Sequence, residues 1–441
     1  MFCTKCGSAC PPEHKFCNKC GAQLLRPSAT EAVAAPSPAL MPQPAAVETP
    51  FVAVPAAVPP SVYPGMPVGV VPAAGQPVYY TSPQAVTHPH TVQQIHLLQS
   101  LRTRIQSLAS TEELEGFSLK DMFSEVFRKH GAAEIEDYIL VGGPKTTPPI
   151  DVVQTGWPKP WLFFRLLVTL VVAYLVCTYT LMHLSDAGNM IPAVMILGAF
   201  AVPLATLTFF FEMNTPRNVS IHRIGTLFLL GAVVSLIFAL IGYTMPVLGS
   251  MGNMAAGIVE EVAKLLTVVI VVRGVRYKYI LNGLLFGATV GAGFAAFETS
   301  GYALNQGLLG ANSLHAGVVL MLEVLRTRAF LTPWGHVAWT AIAAGAFWRI
   351  KGSQPMRFSM LLDNRFLKAF MIPVVLHTLW DAPWQLPFDG NYIISALVSW
   401  YVVFGLVQQG LRQVKEEQKE HLQATLAHVE ASLQPPGTVA V

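Results

Sequence analysis

Charge is scarce in this chain. Of its 441 residues only 12% are Asp, Glu, Lys or Arg, whereas 53% are hydrophobic. A soluble domain carries roughly 25% charged residues, so this composition excludes an ordinary soluble enzyme and indicates a polytopic membrane protein. The net charge of +3 is too small a basic surplus to argue for a nucleic-acid partner. Cysteine is nearly absent beyond residue 20: five of the six lie within the first 20 residues, and Cys177 stands alone in an apolar run, where a thiol packs as a small hydrophobe. The chain opens on Met1-Phe2-Cys3 and a polar, cysteine-rich segment, so a secretory leader, basic and then apolar, is not expected.

That opening segment carries Cys3-x2-Cys6 and Cys17-x2-Cys20, each pair followed by glycine, with ten residues between the pairs. Two such knuckles suit four thiolates around one tetrahedral zinc, and the glycines permit the tight turns. Residues 1–25 therefore read as a zinc ribbon resembling those at the N-terminus of many bacterial proteins, with Cys10 a spare thiol. So small a unit folds on its metal. Thiolate ligands suit a reducing compartment, which puts the N-terminus in the cytoplasm. Residues 26–92, dominated by Pro, Ala and Val, cannot build a core and read as a disordered tether. His88 and His90 fall within it as an accident of composition. Residues 93–143 regain helical spacing, with Ile95, Leu98, Leu101, Ile105 and Leu108 on one face, then Leu119, Met122, Phe123, Val126 and Phe127. They read as a cytoplasmic helical module against the membrane.

Eight apolar runs of about the ~20 residues that a span needs follow from Trp161. They cover 161–183, 191–211, 224–243, 252–272, 279–303, 333–349, 368–386 and 392–411. The fold class is thus all-α polytopic, with about eight transmembrane helices. A charged amphipathic tail, 412–441, reads as solvated or paired with 93–110. Loop charges orient the bundle by the positive-inside rule. Arg217 and Arg223, then Arg273, Arg276 and Lys278, then Arg349, Lys351, Arg357, Arg365 and Lys368 follow the second, fourth and sixth runs. Loops 184–190, 244–251 and 387–391 have no Lys or Arg; only Arg326 and Arg328 break the pattern. Both termini are accordingly cytoplasmic, in a multi-pass protein of the cell membrane.

Ionisable residues inside such runs are costly and mark function. Four runs carry them: Glu260, Glu261 and Lys264; Glu298; His336; His377 and Asp381. With the inferred orientation, Glu260 and Glu261 sit about ten residues into the fourth run, near the midplane at ~1.5 Å per residue. Glu298, His336, His377 and Asp381 fall in the middle and outer half. Lys264 stands i+4 from Glu260 and i+3 from Glu261, so it can neutralise a carboxylate on its own helix face. Asp381 stands i+4 from His377 and can orient its imidazole. Gly283, Gly287, Gly291, Gly293, Gly335 and Gly345 would let helices approach closely. The plainer readings are a structural Glu–Lys pair, hydrogen-bonded core histidines (as for His183 and His315), and Phe294 as packing. Four clusters at one depth favour a hydrolytic or metal site.

In combination, Glu260-Glu261-x2-Lys264, Phe294-x3-Glu298, the His336 segment and His377-x3-Asp381 resemble the PrsW family of intramembrane metalloproteases. That family belongs with the type II CAAX prenyl endopeptidases and the bacteriocin-processing membrane proteases. The stretch Phe211-Glu212-Met213-Asn214-Thr215-Pro216-Arg217 is similar to one that the family carries ahead of its first motif, while Thr299 stands where Asn is frequent. The resemblance covers residues 160–411. It implies hydrolysis of a peptide bond in a membrane or juxtamembrane protein; one family member cleaves an anti-sigma factor on its extracytoplasmic side.

The chemistry expected is attack by an activated water. Glu260 or Glu261 serves as general base, beside Lys264. His336 and His377, with Glu298 or Asp381, hold a catalytic zinc with one open position. In a metal-free variant Glu and His activate the water, and His377 with Asp381 steadies the oxyanion. The competing class is a non-catalytic receptor or anchor whose ribbon recruits a cytoplasmic partner. A transporter is disfavoured, since no inverted repeat or pair of broken helices is evident.

Overall fold

The structure, a computed structural model, describes residues 93–100, 102–103, 117–184, 187–272, 276–309 and 311–433. All belong to the unit Pro83–Val441. The expected zinc ribbon with Cys3, Cys6, Cys17 and Cys20, the tether over 26–92, and Leu101, Ile105 and Leu108 of the helical module lie outside the described residues. No strand occurs among the described residues.

Among the described residues nine long helices follow one another: α1 (Leu162–His183), α2 (Ile191–Met213), α3 (Ile221–Tyr243), α4 (Ala256–Val271), α5 (Ile280–Tyr302), α6 (Leu314–Leu331), α7 (His336–Lys351), α8 (Asn364–Trp380) and α9 (Gly390–Leu433). Each of the eight apolar runs coincides with one of them. Among the described residues five helices are long and apolar enough to cross a membrane: α1, α2 with its leading turn from Gly188, α3, α5 extended to Gly307, and α9. Of the other four, α6 has 18 residues, and the shorter α4, α7 and α8 have 16, 16 and 17. At ~1.5 Å per residue they measure about 24–26 Å, short of the ~30 Å hydrocarbon core. Those three carry most of the ionisable residues.

The core is built around α5, whose apolar window is 94% buried. It packs on α7, α3, α2 and α9. Its glycines explain the closest of these contacts. A Cβ on Gly287 would fall 2.2 Å from Thr340 O, and one on Gly291 would fall 2.4 Å from His336 O. The stripe Gly283, Gly287, Gly291 therefore lets the α7 backbone lie directly on α5, as small-residue faces do between membrane helices. Gly257 does the same for α4 and α8, where its Cβ would meet Val374 O at 2.5 Å.

The polar stretch after α2 ties the bundle's end together. Glu212 accepts hydrogen bonds from the N–H groups of Trp161, Leu162 and Phe163 at 2.7, 2.9 and 2.8 Å, capping α1 with a carboxylate. Asn214 and Asn218 meet Asn282 of α5 in a buried amide cluster, at 2.9 and 2.6 Å from its Nδ2. Arg217, with a left-handed φ of 45°, lays its guanidinium over the Tyr138 ring at 3.7 Å.

Ahead of α1 the helical module is less regular than its apolar spacing suggests. Its helix stops at Met122, and only Met122 and Val126 of the second predicted face are buried, while Leu119 and Phe127 are exposed. The aromatic residues instead dock on the start of α1, Phe123 against Phe163 and Phe127 against Phe164. The tail is a continuation of α9, pairing with the module as expected: Arg102 donates to Glu430 at 2.8 Å. Lys278 pairs with Glu417, and Gln418 donates to Ile150 O at 2.8 Å.

Candidate active site

Four helices converge on one buried cluster. α4 brings Glu260, Glu261 and Lys264 on one face, each below a tenth exposed. α5 brings Phe294 and Glu298, α7 opens on His336, and α8 ends on His377 with Asp381 as its C-cap residue. All seven ionisable residues singled out by the sequence meet there. Two histidines expected to be core residues do not: His183 and His315 are exposed, His183 stacked on its own helix neighbour Tyr179.

The contacts form a continuous chain. Glu261 Oε1 lies 2.6 Å from Lys264 Nζ and 2.9 Å from His377 Nδ1. His377 Nε2 lies 3.1 Å from Asp381 Oδ2. Lys264 Nζ lies 3.0 Å from His336 Nδ1, and its ammonium sits 4.5 Å from the centre of the Phe294 ring. His336 Nε2 lies 3.0 Å from Glu298 Oε2, which is also paired with Arg328 of α6. Phe294 is thus the floor under the lysine, and Trp339 stacks on the His377 ring at 4.5 Å.

Glu260 and Glu261 each bury an Oε2 without a hydrogen-bond partner, and that of Glu260 faces two imidazoles. Tyr243 donates to Glu260 Oε1 at 3.0 Å. Around Glu260 Oε2 stand Lys264 Nζ at 3.7 Å, His377 Nε2 at 3.7 Å and His336 Nδ1 at 3.9 Å. A buried carboxylate oxygen without a donor is costly, so this spot suits a ligand that the polypeptide does not itself supply. Glu260, His336 and His377 each offer a ligand atom within 4.8 Å of the others, so the group could hold a metal ion. Glu298 and Asp381, read from the sequence as metal ligands, each lie against one imidazole. A cavity of about 860 Å³ opens onto the cluster, lined among others by Glu260, Glu298, His336, His377 and Asp381.

Three contributors were not singled out from the sequence. Arg328 holds Glu298 and donates to Thr299 Oγ1 at 3.0 Å. Tyr243 holds Glu260, and Trp339 supports His377. For Arg328 a signal existed, because it is one of the two basic residues that break the loop-charge pattern. Tyr243 and Trp339 lie among many aromatics in apolar runs, where spacing gives no hint of a partner.

A helical bundle with membrane-crossing helices, a buried Glu/His/His group and a cavity reaching it defines a membrane-embedded hydrolase with a metal-capable centre. Residues 220–407 match the model of the PrsW family intramembrane metalloproteases. The resemblance read from the motifs is thereby borne out: this part of the chain is of the PrsW family, and the protein is an enzyme, an intramembrane protease. The match starts at α3, so α1, α2 and the capping stretch with Glu212 lie ahead of it. No curated protein and no solved structure matches the chain.

Proposed function

We propose that the chain hydrolyses a peptide bond in a membrane or juxtamembrane protein, with Glu260, His336 and His377 holding a divalent metal. The observation that carries this reading is the buried, partnerless Oε2 of Glu260 facing two imidazoles. Two imidazoles and one carboxylate with an open position are the donors of a catalytic zinc. The metal would polarise the scissile carbonyl and acidify a water.

The surrounding residues take distinct parts. Each histidine turns one nitrogen toward Glu260 and the other toward a carboxylate, His377 toward Glu261 and His336 toward Glu298. Such outer carboxylates set the tautomer and orientation of metal-binding imidazoles. Lys264 and Arg328 hold those carboxylates in turn. Asp381 alone among the four acids has no Lys or Arg partner, and its side chain is 32% exposed. It is placed to take the proton of the attacking water and pass it to the leaving amine. Glu261, whose Oε1 is engaged by both Lys264 and His377, acts as a positioning residue rather than the base.

One observation favours a metal-free alternative: the Lys264 ammonium already stands 3.0 Å from His336 Nδ1. In that case Glu260 is the base, while His377 and Asp381 steady the oxyanion. Loop charges favour cytoplasmic termini in either case, with the site in the half of the bilayer away from them. Metal content of the full-length chain in detergent separates the two. The metal reading expects one equivalent more in wild type than in His336→Ala or His377→Ala, with Asp381→Asn inactive but metal-replete. Equal metal in all four proteins removes the metal assignment and leaves Glu260 as base.

A further inference from the structure

The 860 Å³ cavity does not reach the cluster alone. A second cavity, of about 240 Å³, lies against it, and the two share Arg328, His336, Trp380 and Asp381 as common walls. An extended peptide lying across the reacting residues has two flanks, and these cavities receive one each. We infer that the smaller cavity is a side-chain subsite beside the scissile bond, which admits one side chain of small to medium size and rejects acidic ones. The inference rests on the hydrolytic reading above.

Size is the first argument. Pockets for whole small molecules begin at about 300 Å³, so 240 Å³ accommodates a single side chain rather than a length of chain. The larger cavity takes the remainder of the segment; it is bordered by Leu236, Ala239 and Leu240 of α3, apolar residues on a helix with much lipid-type surface.

Charge is the second. The small cavity is walled by Trp339, Trp380 and Tyr392, by Ala295 and Leu331, and by Thr299, Thr327 and Thr332. It also contains one group of each sign, Arg328 and Asp381. Arg328 is already paired with Glu298, whereas Asp381 has no Lys or Arg partner. An entering Asp or Glu would meet Asp381 and find no free counter-charge, and a desolvated, unpaired charge is costly. An uncharged side chain meets aromatic faces at no such cost. The selectivity is thus built from repulsion of acidic side chains, together with a limit on volume.

Thr327 gives the test its handle, because it lines the cavity yet is exposed on α6 and makes no contact with the reacting residues. Full-length protein in detergent micelles is incubated with a mass-encoded library of apolar peptides, each randomised over its central six residues. Cut positions are read by mass spectrometry, with Glu260→Gln as the blank. We expect one position next to the cut bond to disfavour Asp and Glu by about tenfold or more against uncharged residues. Thr327→Trp should contract that position to Gly, Ala and Ser while preferences on the other side of the cut stay unchanged; Thr327→Leu, a milder filling, should move it the same way. Equal cutting beside acidic and uncharged residues, or a uniform loss across all peptides in both Thr327 variants, overturns the subsite. Wild type that cuts no more than Glu260→Gln instead overturns the hydrolytic reading, and the subsite with it.

Discussion

Glu261 of α4 and His377 of α8 form a fully buried pair, Oε1 to Nδ1 at 2.9 Å, across the contact that Gly257 makes close. The same oxygen accepts from Lys264, so one carboxylate joins two helices and neutralises a buried cation. Removing one member of a buried, charged network leaves the others uncompensated, at a cost of about 3–5 kcal/mol. Glu261→Ala is therefore expected to lower the thermal midpoint in detergent strongly. Glu260→Gln, which loses no hydrogen bond at Oε2, should leave the midpoint near wild type yet abolish cleavage. Similar midpoints for the two variants would contradict the division of labour between these neighbours.

Arg328 should act on the site through Glu298. Without the guanidinium, Glu298 is free to turn from His336, and outer partners of this sort are worth 10–100-fold in metal affinity. Arg328→Gln is expected to weaken metal binding by about tenfold, toward the lower end of that range, with Arg328→Lys recovering part of it. Arg326→Gln, exposed on the same helix, serves as the control and should bind as wild type does. Equal affinity in Arg328→Gln and Arg326→Gln would show that Glu298 holds its place unaided.

The α5–α7 contact has no room for a methyl group. Gly287→Ala would put a Cβ 2.2 Å from Thr340 O, a backbone atom that cannot swing away. Overpacking of this kind costs about 1–3 kcal/mol or more, and here it would also push His336 at the head of α7 from the cluster. Gly301→Ala, on the same helix with nothing within 4 Å of the added carbon, should be neutral. Unfolding midpoints of the two variants, measured side by side, decide the matter.

Acid should loosen the start of α8. Asp363 caps that helix, accepting from Arg365 N at 2.8 Å, and its side chain also binds the Arg365 guanidinium. The Arg365 side chain first, and then its backbone N–H, hold the Asp363 carboxyl down at about 2, from an ordinary 3.8. A depressed acid stabilises the fold above its unfolded value and loses that contribution as pH falls through the folded one. The loss should therefore fall between about pH 4 and pH 2, and Asp363→Asn, which keeps a capping side chain, should flatten it. Hydrogen exchange at the α8 amides reads it locally. An unchanged acid limb in Asp363→Asn would assign the loss to other carboxylates.

What was legible in the sequence follows from where membrane proteins concentrate information. Hydropathy marks eight of the nine long helices among the described residues, because a lipid-facing segment has few polar options; α6, which carries Glu323, Arg326 and Arg328, escaped it. Five of the eight are long and apolar enough to cross a membrane, and α4, α7 and α8 are shorter. The seven ionisable residues announced themselves because charge inside an apolar run is rare. Their connections were less legible: helical spacing put Lys264 within reach of both Glu260 and Glu261, and the closer partner is Glu261, at 2.6 Å. The Arg328–Glu298 and Tyr243–Glu260 contacts join separate helices, and helix order alone does not say which faces meet. In the 93–143 module Phe123 and Phe127, placed by apolar spacing on one face, serve aromatic contacts with α1.

The cluster also has a charge count. Glu260, Glu261, Glu298 and Asp381 face only Lys264 and Arg328, which leaves two negative charges in surplus when both imidazoles are neutral. One divalent cation held by Glu260, His336 and His377 would cancel that surplus, sparing the surrounding apolar helices the cost of an uncompensated field.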